Sequence, residues 1–303
     1  MKNSVSPDHL KIFLAVLDCG GFRAAAQRLG TVPSRVSTTI SRLEAELGVP
    51  LFLRSTRSVR ATEQGRRLAD QIRPMFHEIE MAVSEAANSM GTVRGKLSLN
   101  VPGAVVPDIL PSVIAEYSRL HPEVEVEIVV ENDRVDIIAA GCDAGVRYGA
   151  HLDMDMVSVP IGPRTQQIAL AASPTYLQAN GLPQSPEELT RHHGIRYRLP
   201  SGTLLPWRLR QGTNTVTVEP RSALVISVNA LNGGLSYARA GLGIIGAFQN
   251  WCQADFNAGT LVPVLEGCWV SLDGPRLYYP SRLASAPLRA FIETCQRLDP
   301  QTS

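Results

Sequence analysis

The stretch from Thr31 to Leu47 carries side chains suited to contacting another molecule. Its apolar residues recur at the spacing of one buried helix face, namely Val36, Ile40, Leu43 and Leu47. The opposite face carries only hydroxyl and guanidinium side chains before the first acid, at Ser34, Arg35, Ser37, Thr38, Ser41 and Arg42. A helix with this division offers one side to a core and the other to a polar ligand.

The chemistry of the polar face favours nucleic acid. Hydroxyls and guanidiniums donate hydrogen bonds to phosphates and base edges, whereas a carboxylate would be repelled by the DNA backbone. The first acid of the helix is Glu44, in its second half. The pattern therefore predicts a helix that lies in the major groove of DNA. An ordinary amphipathic surface helix is the alternative.

Local signals mark both ends of this helix. The hydroxyl of Thr31 can cap the start, Pro33 suits the first turn, and Gly48 can take the left-handed conformation that ends a helix. These three residues predict a helix that is confined to this stretch.

Two shorter helices are predicted before it, over residues 9–18 and 22–29, with Leu29 facing inward. The small side chains of Ala25 and Ala26 allow the second helix to pack closely against the third. A helix, a tight turn and a further helix in this order predict a helix-turn-helix.

A basic stretch follows the three helices. Residues 54–62 alternate as in a small β-hairpin, and Arg54, Arg57 and Arg60 recur without an intervening acid. We interpret this hairpin as a wing that reaches the flanking phosphates, with an exposed polar loop as the alternative.

The charge of the chain is distributed unevenly. Residues 1–70 hold eleven Lys and Arg against six acids, although the net charge of all 303 residues is only +1. A basic head on a mildly acidic body indicates a polyanion-binding module joined to a further part. The length fits two or three domains.

The cysteines and the apolar runs bear on the compartment. The five cysteines are odd in number and form no C-x-x-C pair, so a disulfide framework or a zinc ribbon is not expected. The N-terminus lacks a secretory signal, and no apolar run reaches the roughly 20 residues that span a bilayer. We therefore expect a cytoplasmic protein.

A longer series of positions carries a family resemblance. It comprises Leu10, Phe13, Gly21, Phe22, Ala25, Ala26, Leu29, Pro33, Ser34, Val36, Ser37, Ile40, Leu43, Glu44, Leu47, Gly48, Leu51, Phe52, Arg54, Thr62 and Gly65. At these spacings the series resembles the DNA-binding domain of LysR-type transcriptional regulators. The resemblance implies a winged helix-turn-helix that binds double-stranded DNA. The predicted DNA contacts are Pro33, Ser34, Arg35, Ser37, Thr38, Arg42, Arg54 and Arg57.

The sequence departs from the family pattern at three positions. Val32 stands where the family usually has a capping Ser or Thr, so the cap is expected to move to Thr31 or to be weaker by about 1 kcal/mol. Gly21 replaces a frequent Ser. Arg35 replaces a small apolar residue, and a guanidinium there could read a guanine through O6 and N7 or contact a phosphate instead.

A long helix is predicted from a cap at Thr62 to about residue 88, with a kink at Pro74. Its apolar residues step by four and three, as in a coiled coil, at Leu68, Ile72, Met75, Ile79, Ala82 and Ala86. In the resembling family this seam pairs with that of a second copy, which implies a homodimer on an inverted-repeat operator. Whether two dimers form a tetramer stays open. Residues 90–95 are the predicted hinge.

From Lys96 onward, strands alternate with helices. Strands are predicted at 97–101, 124–130, 144–147 and 167–172, and helices at 106–120 and 134–140, which indicates an α/β sheet. The segments 133–137, 143–149, 172–177 and 240–244 resemble the effector-binding domain of the same family. The resemblance implies two lobes around a cleft, built like a periplasmic solute-binding protein.

The predicted fold class is therefore α/β, with an N-terminal winged helix-turn-helix, a long linker helix and a C-terminal two-lobed effector domain. The predicted domains are 1–62, 63–94 and 95–303. Within the last, the first lobe takes about 95–164 and 268–300, and the second takes about 165–267.

Ligands in such a cleft lie beyond the carboxyl ends of strands and against helix N-termini. The residues that we predict at the effector site are Asn100, Pro102, Gly103, Arg147, Tyr148, Ser201, Thr203 and Asn229. Helix N-termini and hydroxyls favour a small, anionic effector. Two alternatives stay open: Asn229 as the cap of its own helix, and Arg147 as the partner of Asp143 or Asp136.

Other motifs do not point to chemistry. The G-x-G-x-x-G of 241–246 follows a predicted helix and precedes a strand, which reverses the order of a dinucleotide fingerprint. His192 and His193 are adjacent, so their side chains do not converge on a metal. We expect no catalytic activity, no metal and no cofactor. The rivals are an enzyme with a DNA-binding head, a pure solute-binding protein, and a regulator whose cleft binds nothing.

Overall fold

The computed structural model describes residues 5–54, 59–87, 92–132, 137, 141–149, 156–280 and 284–298. The chain divides into two compact units, Met1–Val83 with Ile138–Gly141 and Ser84–Ile137 with Cys142–Ser303. The division falls inside the predicted linker helix, so the three-part scheme of 1–62, 63–94 and 95–303 stays a prediction.

The first unit is helical with one small hairpin. Its elements are α1 (Pro7–Asp18), α2 (Phe22–Arg28), α3 (Pro33–Leu47), β1 (Phe52–Arg54), β2 (Val59–Ala61) and α4 (Glu63–Ala87). Strands β1 and β2 pair antiparallel. The predicted buried face of α3 lies in the core, since Val36, Ile40 and Leu43 are fully buried there.

The ends of the helices depart from the predictions. Of the two expectations for the cap of α3, the move to Thr31 is wrong, because the N-cap is Val32. The alternative, a weaker cap, agrees with the structure, since Val32 makes no side-chain hydrogen bond. Leu29 and Leu47 were expected inside, but 39% and 38% of their surfaces are exposed. Both lie at the end of a helix, where the core no longer covers the face. Gly48 ends α3 with a φ of 72°, as predicted.

Helix α4 begins at the predicted cap, where the backbone N–H of Gly65 donates to Oγ1 of Thr62 at 2.9 Å, and it continues through Pro74. The predicted seam is wrong at its first two residues, because Leu68 and Ile72 pack into the core of their own helix-turn-helix. The later residues of the seam are uncovered: Met75 is 60% and Ile79 is 54% exposed. The predicted Ala86 contact lies outside the side chains that the structure describes.

The second unit contains two sheets with helices against them. Its strands are β3 (Gly95–Val101), β4 (Val124–Val130), β5 (Ala144–Arg147), β6 (Met156–Pro160), β7 (Thr165–Ala172), β8 (His193–Arg198), β9 (Trp207–Gln211), β10 (Asn214–Val218), β11 (Arg221–Ser227), β12 (Ile244–Phe248), β13 (Val262–Val264), β14 (Val270–Asp273) and β15 (Arg276–Pro280). Its helices are α5 (Leu110–Leu120), α6 (Pro174–Asn180), α7 (Gly234–Arg239), α8 (Gln249–Ala258) and α9 (Ala286–Arg297).

The strands form one sheet for each lobe. The first lobe has the order β4-β3-β5-β15-β6, and the second has β11-β8-β12-β7-β13, with β14 also paired to β7. Strand β3 is parallel to β4 and β5, and β8 is parallel to β11 and β12, so the carboxyl ends of these strands share an edge in each lobe. The α/β prediction is confirmed.

Two predicted boundaries need correction. Strand β14 belongs to the sheet of the second lobe, although we assigned residues from 268 onward to the first lobe. Helix α5 begins only at Leu110, after a 3-10 turn at Gly103–Val105, rather than at residue 106. The predicted helix at 134–140 lies outside the described residues, apart from Ile137.

The two crossovers between the lobes run side by side. The N–H of Gly274 donates to the carbonyl of Arg164 at 2.7 Å, and that of Ile161 donates to the carbonyl of Pro275 at 3.2 Å. A Cβ on Gly274 would lie 1.7 Å from the carbonyl oxygen of Pro163, so only glycine fits. The lobes are thus joined by a tight, hydrogen-bonded pair of segments.

Candidate DNA-binding and effector sites

The solvent-facing side of α3 carries most of the predicted DNA contacts. Pro33, Ser34, Arg35, Thr38 and Arg42 are exposed, and Ser37 is half-buried. Arg35 makes no hydrogen bond or ion pair with any residue that the structure describes, whereas Nε of Arg42 donates to Glu46 at 2.9 Å. The guanidinium of Arg35 is therefore available to a ligand.

Arg54 has partners within the head. Its Nη2 lies 2.7 Å from Oε2 of Glu44 and 3.3 Å from Oγ of Ser41, and its guanidinium lies 5.0 Å from the ring centroid of Phe22. Its charge is thus opposed by a carboxylate, which the sequence pattern of the wing did not indicate. Arg57 lies outside the described residues.

In the first lobe, the structure brings Asn100 and Arg147 together. Arg147 donates to the carbonyl of Asn100 at 3.2 Å, to that of Val146 at 2.7 Å, and to the side-chain oxygen of Asn100. Asn100 in turn donates to Glu131 at 2.8 Å. Both predicted residues are buried, so these contacts tie β3 to β5 and to the end of β4.

Gly103 and Asn229 are linked through the side chain of Asn132. The N–H of Gly103 donates to Oδ1 of Asn132 at 3.2 Å, and Nδ2 of Asn132 donates to Oδ1 of Asn229 at 2.6 Å. Ser227 caps the turn by accepting from the N–H of Asn229, so the side chain of Asn229 does not act as that cap. Pro102 is buried directly before Gly103.

Tyr148 lies where the two lobes meet. Its hydroxyl donates to Oε1 of Gln166 at 2.6 Å, and its ring stacks on Phe248 with centroids 5.5 Å apart. Burial raises the pKa of Tyr148, and the carboxylate of Asp108 raises it further. Tyr148 therefore stays a neutral donor at physiological pH.

A further contact between the lobes was missed by the sequence analysis. Oδ2 of Asp108, which precedes α5, accepts from Nδ2 of Asn250 at 2.5 Å and from Nε1 of Trp251 at 2.8 Å, both in the first turn of α8. No local signal could have indicated these pairs, since more than a hundred residues separate their members.

Ser201 and Thr203 are exposed in the turn that follows β8. This turn also holds Nη1 of Arg198, which donates to the carbonyl of Gly202 at 2.7 Å. Arg198 pairs in register with Ser227, so the turn lies at the same sheet edge as Asn229. The exposed guanidinium of Arg198 was not predicted, although it stands three residues before Ser201.

The remaining motifs have structural positions. The turn that contains 241–243 follows α7 and precedes β12, which confirms the reversed order of the glycine motif. Nδ1 of His192 lies 3.2 Å from the hydroxyl of Tyr176. Within the described residues, no group of three or more His, Cys, Asp or Glu side chains could hold a metal ion. In the same residues, each helix is too short or too polar to cross a membrane.

Together, the winged helix-turn-helix and the two-lobed α/β domain define a class of protein, a transcriptional regulator that combines DNA binding with ligand sensing. Residues 7–66 match the family described as "Bacterial regulatory helix-turn-helix protein, lysR family", and residues 90–299 match "LysR substrate binding domain". The chain belongs to the LysR family of transcriptional regulators. Members of this family bind operator DNA and small effectors and form oligomers.

Known proteins of similar sequence support this assignment. The chain is 33% identical to the uncharacterized HTH-type transcriptional regulator YcaN of Escherichia coli K12, over 93% of this chain and 91% of YcaN. It is 35% identical to a putative transcriptional regulator of Pseudomonas aeruginosa, over 92% and 91% of the two chains. The fold is similar to that of full-length AphB of Vibrio cholerae, with a TM-score of 0.64 at 23% identity, covering 96% and 98% of the two chains.

Proposed function

We propose that this regulator reads its operator with the exposed face of α3 and that Arg35 discriminates between bases. The observation that carries the proposal is that this face holds Ser34, Arg35 and Thr38 in solvent with no acid before Glu44. A guanidinium without an internal partner keeps its donors for O6 and N7 of a guanine. The helix is then positioned against the phosphates by the other predicted contacts of α3, which are Pro33, Ser34, Ser37, Thr38 and Arg42.

The test is an anisotropy titration of the full chain against a duplex selected from a random pool, over a salt series. Arg35→Ala should cost about 1–3 kcal/mol at one base position and relax discrimination there. Arg67→Ala is the control, because it removes an equal charge from an exposed pair with Glu63 on α4. Uniform weakening on all duplexes, with a salt slope shallower by about 0.9, would assign Arg35 to a phosphate instead.

The exposed apolar residues of α4 form the dimer contact in this proposal. Met75, Ile79 and Val83 recur on one helix face and are at least half exposed. Pairing this face with that of a second copy buries it and presents two α3 helices to an inverted repeat.

The effector in this proposal is a small anion that binds at the carboxyl edge of the second lobe. The guanidinium of Arg198 and the hydroxyls of Ser201 and Thr203 lie at that edge, beside the turn of Asn229. Asn100 and Arg147 support the opposite wall rather than contact the ligand, because they are buried against each other.

Calorimetric titration of the full chain with succinate and benzoate, each compared with its amide, tests this site. Binding of a carboxylate but not its amide, lost in Arg198→Ala, is the expected result. Equal binding of acid and amide would reject the anionic effector. Failure of both classes, with DNA binding intact, would favour a regulator whose cleft is closed by its own side chains.

The regulator acts in the cytoplasm and without catalysis in this proposal. The support is its role, since contact with DNA requires access to the genome, and neither effector binding nor operator binding requires a covalent step. An activity assay would need to find turnover of a bound effector to overturn this part.

A further inference from the structure

The carboxylate of Glu44 joins the recognition helix α3 to the wing. Its Oε1 accepts from the backbone N–H groups of Leu51 at 2.8 Å and Phe52 at 3.0 Å, and its Oε2 accepts from Nη2 of Arg54 at 2.7 Å. One side chain of α3 therefore binds the connection, the first strand residue and the last strand residue of β1. We infer that Glu44 is a positioning residue for DNA binding and that Arg54 acts through it rather than as a phosphate contact.

The surroundings of Arg54 hold its guanidinium in one place. It contacts Glu44, Ser41 and the ring of Phe22, and only 36% of its side chain is exposed. Charge-assisted hydrogen bonds and a cation–π contact restrict a long side chain more than an exposed ion pair does. A phosphate contact would have to compete with these partners.

The other end of the wing is also held by hydrogen bonds. Thr62 donates its hydroxyl to the carbonyl of Pro50 at 2.8 Å, while its N–H donates to the carbonyl of Leu51 at 2.9 Å. The same hydroxyl accepts from Gly65 in the first turn of α4. Glu44 thus fixes the wing to α3, and Thr62 fixes it to α4. The wing becomes the part through which the linker helix sets the orientation of the recognition helix.

The effect of removing the negative charge of Glu44 distinguishes a positioning role from simple repulsion of the DNA phosphates. A carboxylate on the DNA-facing half of the molecule repels phosphates, so its removal alone should tighten binding. Removal of a positioning residue should weaken binding, because the wing and α3 lose their fixed relation. Glu44→Gln is well suited to this comparison. The amide oxygen still accepts from Leu51 and Phe52, but the amide no longer opposes the charge of Arg54.

The experiment uses the full chain and the duplex selected for the wild type. The inference rests on the proposed DNA-binding role of the head. Glu44→Gln and Arg54→Gln should each weaken operator binding roughly tenfold, the loss of one charge-assisted hydrogen bond. The salt slope should stay unchanged. The double variant should be no weaker than either single variant, because both changes remove the same contact. Arg54→Lys should recover part of the affinity.

Glu63→Gln is the matched control, since it deletes one carboxylate from an exposed pair on α4 and leaves the wing intact. Melting temperatures of all variants exclude unfolding as the cause of a loss. Tighter binding by Glu44→Gln, or additive losses with a slope shallower by about 0.9 in Arg54→Gln, would overturn the inference. If the wild type itself selects no duplex, the DNA-binding proposal fails and this inference fails with it.

Discussion

At the scale of single residues, Gly65 lies where the first turn of α4 meets the wing. A Cβ at this position would lie 2.3 Å from the carbonyl oxygen of Leu51, a backbone atom that Thr62 already holds through a hydrogen bond. Because the neighbour is backbone, it cannot move aside as a flexible side chain would. Gly65→Ala is expected to cost roughly 1–3 kcal/mol through overpacking.

Urea unfolding monitored by circular dichroism measures this loss. The matched control is Gly21→Ala, because Gly21 belongs to the same unit, has an extended φ of 174° and has no heavy atom within 4 Å of the added Cβ. Equal midpoints for Gly65→Ala and the wild type would mean that α4 and the wing shift apart freely.

At the scale of elements, α4 packs against its own head at its start, and we propose a second role, as the dimer contact, for the rest of its length. Its first turns pack Ala69, Ile72 and Phe76 against the helix-turn-helix, and Nη2 of Arg73 pairs with Asp18 of α1 at 2.7 Å. Beyond these residues, the apolar face continues in solvent. The first role fixes the helix to its own head, so in the proposed dimer the second would transmit the spacing of the two copies to DNA.

Ile79→Glu tests the second role. A carboxylate at the centre of a buried apolar seam would be desolvated, so dimerisation should weaken by roughly 100-fold or more. Sedimentation velocity at micromolar protein should then report monomers, and the binding of an inverted repeat should lose its cooperativity.

Asp70→Asn is the control, since residue 70 lies on the opposite face of the helix. It changes the charge of α4 by one without entering the seam. A dimer that survives Ile79→Glu would place the contact between copies elsewhere on the molecule.

The sequence predicted these elements well where the signal was local. Helical periodicity identified the buried side of α3, and alternating apolar residues located β3, β4 and β5. The predicted lobe boundary was wrong where a partner distant in sequence determines the pairing. Strand β14 joins the second lobe because it pairs with β7, about a hundred residues earlier in the chain. Val32 is the N-cap of α3 although its side chain makes no hydrogen bond, so the capping chemistry of Thr31 did not decide where the helix begins.

The sites show the same limit. Exposed polar residues of α3 could be named from helical phase alone. The partners Asn132 and Asn229 stand 97 positions apart, so their contact depends on the closure of two lobes that no local pattern records. We predicted Arg54 as a DNA contact because the sequence of the wing contains no acid. Its partner Glu44 belongs to the preceding helix.

At the scale of the whole molecule, three groups of contacts hold the lobes of the effector domain together. Asn132 reaches Asn229, Tyr148 reaches Gln166 and Phe248, and Asp108 reaches α8. Two buried polar atoms, Oδ1 of Asp108 and Nε2 of Gln166, have no partner within the described part of the chain. Such atoms cost about 1–3 kcal/mol each, which offsets part of what the contacts between the lobes contribute.

Asp108→Ala should shift this balance toward open lobes. The substitution removes the acceptor for Asn250 and Trp251, two hydrogen bonds to a charged group, together with the unpaired oxygen. Hydrogen–deuterium exchange is expected to rise about tenfold in α8 and in the 3-10 turn of 103–105. Acrylamide should also quench the fluorescence of Trp251 more strongly.

Gln253→Ala provides the control. Gln253 lies one position beyond the first turn of α8, and its side chain bonds only within that helix, to Asn257 at 2.9 Å. It should leave exchange in the first lobe unchanged. Faster exchange confined to α8, with the turn of 103–105 unaffected, would mean that Asp108 stabilises the helix alone. Faster exchange in both lobes at once is the result that requires Asp108 to hold them together, because α8 and the turn of 103–105 belong to different lobes.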